Sequence, residues 1–139
     1  MICSLTVGAS ASAGPVTRGA TVFAETLKKV VDNVDGGLGA IVMGLDGIPV
    51  DSYTRAPDRV DITTVAMEFS FILGQAVKAS DTLKLGGLEE FSVRADRLVF
   101  VSRMLSNQYF VAVAMAPEGN FGKCRYLMRL AVPALSAQL

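Results

Sequence analysis

The stretch from Gly37 to Tyr53, GLGAIVMGLDGIPVDSY, constrains this chain more than any other. Two apolar runs flank Asp46-Gly47. A tight reversal needs a positive φ, and glycine supplies it without steric cost, so Asp-Gly at this position predicts a β-hairpin. Its strands fall near Leu38–Met43 and Pro49–Tyr53. The surroundings of the turn are unusual. Leu45 and Ile48 flank Asp46-Gly47, where solvated residues are the rule. An apolar tip is either tucked under its own protein or offered to another one. Leu45, Asp46 and Ile48 are therefore candidate partner-binding residues.

The rest of the pattern completes one domain over residues 21–139. Phe23, Leu27, Val30, Val31 and Val34 recur at three- and four-residue spacing, which predicts a helix over Val22–Val34, stopped by Gly36-Gly37. Asp61 is placed to cap a second, long helix from about Ile62 to Leu83. That helix carries two apolar faces. One holds Ile62, Val65, Phe69, Ile72 and Ala76; the other, rotated around the axis, holds Met67, Phe71 and Gly74. Covering one sheet takes one stripe, so the second asks for a further contact, and a copy of the same helix is its simplest supplier.

Gly86-Gly87 opens a run of three strands, Leu88–Ala95, Leu98–Leu105 and Tyr109–Met115. The last is almost continuously apolar, as in a central strand covered on both faces. Asn120 is placed to cap a final helix bearing Phe121, Cys124, Met128, Ala131 and Leu135, which Pro133 should kink or loosen. The fold class is α/β, of the α+β kind. Its order is α-β-β-α-β-β-β-α, giving one antiparallel five-stranded sheet with helices on its faces.

Composition narrows the function. The chain has 139 residues, 51% of them hydrophobic, which is rich for a small monomer and predicts apolar surface buried between subunits. No run is long enough to span a membrane, so no membrane insertion is expected. Thirteen basic residues balance thirteen acidic ones, which argues against nucleic acid and anionic membranes as partners. The two cysteines, Cys3 and Cys124, read as free thiols of a reducing, cytoplasmic setting. Residues 1–20 read as a disordered tail or as a start placed too early. Ala9-Ser10-Ala11 imitates a signal-peptidase site but lacks a basic flank.

Catalytic constellations are hard to find. With no histidine, the usual triad and histidine-bound metals are excluded. Gly37-Leu38-Gly39 precedes its strand and lacks the third glycine of a dinucleotide fingerprint. Gly119–Lys123 lacks the spacing of a phosphate loop and reads as a helix cap. Glu89 and Glu90 point to opposite faces of a strand and read as solvated, or as one of them capping a subunit edge. Arg103 reads as an outward strand residue, with an ion pair between subunits as the alternative. No enzyme, cofactor or metal is expected. A small-molecule sensor on a similar sheet remains an alternative of another class, weakened by sheet faces filled with Phe, Val, Leu and Met.

The element order, with GAIVMGLDGIPVDS near the start and GNFGKCRYLMRLAVPAL at the end, resembles the Roadblock/dynein-light-chain family over Phe23–Leu139. Within it, VMGLDGIPVD and TLKLGGLEEFSV are most similar to bacterial regulators of cell polarity and gliding motility. The resemblance implies a non-enzymatic homodimer paired through the second helix and third strand, which places Met67, Phe71, Gly74, Phe91 and Val93 at the interface. It also implies binding to a Roadblock-type sister protein, or to a Ras-like small GTPase directly or indirectly.

Overall fold

The computed structural model describes residues 18–139, with side chains from Phe23 onward. The tail expected over 1–20 lies outside the described residues, except that 18–20 open the first helix. The elements are α1 (Arg18–Asp32), β1 (Gly37–Gly44), β2 (Pro49–Thr54), α2 (Ile62–Thr82), β3 (Glu90–Arg94), β4 (Val99–Met104), β5 (Tyr109–Met115) and α3 (Phe121–Ser136). All neighbouring strands are antiparallel, in the order β2-β1-β5-β4-β3. No described helix is long and apolar enough to cross a membrane.

β1 and β5 sit at the centre, and every residue of β1 is buried. Alternation sends their side chains to two separate cores. Ala40, Val42, Val111 and Val113 face α1 and α3, meeting Leu27, Val31, Met128 and Leu135. Ile41, Met43, Phe110 and Ala112 face α2, meeting Ile62, Ala66 and Leu73. The sheet is thus covered by two helices on one face and by one on the other.

The two helix caps expected from sequence form. Thr64 N–H donates to Asp61 Oδ1 at 3.3 Å, and Lys123 N–H donates to Asn120 Oδ1 at 3.0 Å. α3 stays helical through Pro133 as far as Ser136. A backbone clamp joins the α1–β1 corner to the β5–α3 corner. Ala116 N–H donates to Gly36 C=O at 2.8 Å, and Asn120 N–H donates to Asp35 C=O at 3.0 Å. Gly119 makes this approach possible, since a Cβ there would collide with the Asp35 carbonyl oxygen.

α2 corrects one expectation. Its sheet-facing stripe is Ile62, Ala66, Ser70 and Leu73, with Val65 and Phe69 half-buried. Ile72, expected on that stripe, is 46% exposed, and Leu73 takes the inward place at 1%. The Phe69 ring stacks on Phe100 of β4 with centroids 4.6 Å apart, on the same sheet-facing side as Leu73.

Cys124 lies in the α1–α3 core, and burial, followed by the nearby Glu90 charge, pushes its thiol from an ordinary 9.0 up to about 12. A raised folded-state value means that the folded chain holds the proton more tightly than the unfolded chain. The thiol's contribution to stability is therefore present below about 9.0 and is lost as pH rises toward about 12. In a Cys3→Ser background, a thiol reagent at pH 8 should leave Cys124 unmodified until denaturant unfolds the chain. Rapid stoichiometric labelling of the native protein would contradict this burial.

Candidate partner-binding and pairing surfaces

The hairpin tip is a three-residue loop closed by one turn and one strand-end hydrogen bond. Gly44 N–H donates to Ile48 C=O at 3.0 Å and Gly47 N–H to Gly44 C=O at 2.9 Å, so the loop is Leu45-Asp46-Gly47. Gly47 takes φ +87°, the conformation that the Asp-Gly signal predicts for its glycine. Asp46 holds the loop from within: its Oδ1 accepts the Ile48 N–H at 3.0 Å. Leu45 N–H donates across the sheet to Gln108 C=O at 2.8 Å, which docks the tip onto the β4–β5 turn.

The three candidate residues therefore differ. Ile48 projects into solvent at 63% exposure, with Val50 beside it at 39%. Asp46 is exposed, with its carboxylate committed to the turn. Leu45 is half-buried against the α2-side core. Beside them lies a notch of about 390 Å³ lined by Gly44, Leu45, Asp46, Asn107, Gln108 and Tyr109. The last three are not legible as neighbours in the sequence, because only the β1–β5 register brings Tyr109 opposite Gly44.

The second surface lies on the α2 side. Met67 and Phe71 are 50% and 73% exposed, and a Cβ built on Gly74 would meet nothing within 4 Å. α2 lies mainly over β1 and β2. It leaves Phe91 and Val93 of the edge strand β3 half-buried, on the α2 face of the sheet opposite Ser102 and Phe100. Leu83 and Leu85, just past the helix, add 66% and 72% exposed side chains. An edge strand presents N–H and C=O groups that a second strand can use, and β3 is one of the two edges, β2 being the other.

The charged residues near β3 depart from expectation. Glu90 and Arg103 keep only 20% and 18% of their side-chain surface exposed. They are cross-strand partners within one chain, with Arg103 Nη1 donating to Glu90 Oε1 at 3.2 Å. Arg125 of α3 closes the group, its Nε donating to Oε2 at 2.9 Å and to Oε1 at 3.1 Å. The antiparallel register makes 90 and 103 direct neighbours, which sequence spacing alone does not show.

No family model matches the chain, and no curated protein matches it either. Solved structures do. The crystal structure of MglC from Myxococcus xanthus is 37% identical, covering 85% of this chain and 99% of that one, with a TM-score of 0.63. The Roadblock/LC7 domain from Streptomyces avermitilis is 16% identical, covering 82% and 94%, with a TM-score of 0.72. The gliding protein MglB from Thermus thermophilus is also 16% identical, covering 87% and 90%, with a TM-score of 0.71. The last two share the fold with this chain, and the first is similar to it in sequence as well. On these grounds the chain belongs to the Roadblock family and stands close to MglC.

Proposed function

We propose that this chain is a non-enzymatic, cytoplasmic, homodimeric adaptor in a polarity and gliding-motility system. It binds a Roadblock-type sister protein of the MglB kind through the hairpin tip. Through that protein it reaches a Ras-like small GTPase of the MglA kind. The observation that carries this reading is Ile48, a large apolar side chain held out in solvent on a loop fixed by hydrogen bonds on both sides. A rigid exposed apolar anchor loses little conformational entropy on binding, which is what a protein contact needs. The similarity to MglC supports the same reading.

The tip separates packing from binding. Ile48→Ala removes exposed surface and should shift the melting temperature little, whereas Leu45→Ala also removes part of the α2-side core and should lower it. Ile48→Ala should weaken binding to an MglB-type protein by about tenfold or more, the usual loss for an anchor residue. Calorimetric titration of the variants against the sister protein and against the GTPase reads this out. Loss toward the GTPase alone would favour the alternative, a direct GTPase regulator. Unchanged affinity for both would remove the tip from the function.

The dimer rests on Met67, Phe71, Gly74, Phe91 and Val93, with α2 pairing on α2 and β3 on β3. Sedimentation at micromolar concentration should give twice the chain mass. Phe71→Glu should yield a folded monomer, because it would place an unpaired charge in a desolvated seam. A wild-type monomer, or a Phe71→Glu dimer of unchanged affinity, would contradict the assignment.

A further inference from the structure

We propose that a notch between β3, β4 and the start of α3 binds a carboxylate side chain from an acidic segment of a protein partner. This site is separate from the hairpin tip and lies on the α1–α3 face of the sheet. Its volume is about 210 Å³, and its lining is Glu90, Arg103, Gly122, Arg125, Tyr126 and Arg129.

Three guanidinium groups surround one carboxylate there, which leaves the notch with an excess of positive charge. A guanidinium carries five N–H donors in a planar fork that fits a carboxylate. Glu90 offers two oxygens, and these are taken by Arg103 Nη1 and Arg125 Nε. The remaining donors outnumber the acceptors. Arg103 Nε is buried and has no hydrogen-bond partner among the described residues. Arg129 lies over the Tyr126 ring, 5.9 Å from its centroid, with no carboxylate partner among the described residues. Arg103 and Glu90 are only 18% and 20% exposed, so a further anion would be held in a medium less screening than water.

Size and surroundings choose the ligand. The notch is smaller than the ~300–1,000 Å³ of ordinary small-molecule pockets, and so suits one acidic group rather than a cofactor. A Cβ on Gly122 would meet only Asn120 Oδ1 at 3.8 Å, so the mouth stays open at the first turn of α3, the positive end of its dipole. Tyr126 and Leu130, 52% and 56% exposed on the outer side of α3, supply apolar contact beside the charges. A protein segment brings both kinds of group; a free inorganic anion brings only one. Glu90 already shows the mode of binding, since a carboxylate rests there across the Arg125 Nε. It acts as a resident competitor.

The test follows the arginine Nε–Hε signals by nitrogen-15 NMR during titration with an acetylated, amidated Glu-Leu-Glu peptide, and separately with inorganic phosphate. The Arg103 and Arg125 signals should shift saturably with the peptide. Arg125→Gln should weaken binding about tenfold, the loss expected for a charge-assisted hydrogen bond. Glu90→Gln should tighten it severalfold by removing the competitor. Backbone spectra of each variant check the fold. Unchanged or weaker peptide binding by Glu90→Gln would overturn the proposal. So would shifts with phosphate but not with the peptide, or no shift with either.

Discussion

Everything in this molecule is referred to the pairing of β1 with β5. The two strands run antiparallel from Gly37 opposite Met115 to Gly44 opposite Tyr109, and both are buried on their two faces. Such a pair is stable only when helices cover each face, because an uncovered face would return a row of Val, Ile, Met and Phe side chains to water. That requirement explains the three-layer build. It also sets the geometry of the hairpin tip. The hydrogen bond from Leu45 to Gln108 is the next rung of the central ladder, continued past the last residue of β1. The tip inherits its geometry from the middle of the sheet.

Among the exposed apolar side chains, those at the hairpin and on the α2 side lie in different places. One group is Ile48 with Val50, at the hairpin. The other runs along α2 and the edge strand, through Met67, Phe71, Phe91 and Val93. Solvent-exposed side chains as large as Phe71 and Ile48 add nothing to the stability of a lone chain and raise its tendency to associate. Two separate patches would let the proposed self-pairing and the proposed partner binding occur at the same time.

Much of the fold is legible in the sequence because the punctuation is local. Asp46-Gly47 marks a hairpin, Asp61 and Asn120 mark helix starts, and the nearly unbroken apolar run of Tyr109–Met115 marks a buried strand. What depends on long-range pairing is not legible. Sheet order brings Asn107, Gln108 and Tyr109 to the hairpin tip, and register brings Glu90 to Arg103, yet neither leaves a local trace. The rotation of α2 is hidden for another reason. Phe69, Phe71, Ile72 and Leu73 are apolar almost all the way round, so periodicity cannot choose the inward face, and packing on the sheet places Leu73 and Phe69 there instead of Ile72. Leu45 and Ile48 look alike in sequence, although the core reaches only the first of them.

The central claim is that a protein partner covers the hairpin tip. Hydrogen exchange of the full chain, read by mass spectrometry with and without a saturating MglB-type sister protein, tests it most directly. Backbone amides that open to water in the free chain should slow on binding, first around Leu45–Val50 and the adjoining Ser106–Gln108 turn, while α1 stays unchanged. Protection confined to other surfaces, with both turns exchanging as in the free chain, would contradict the claim.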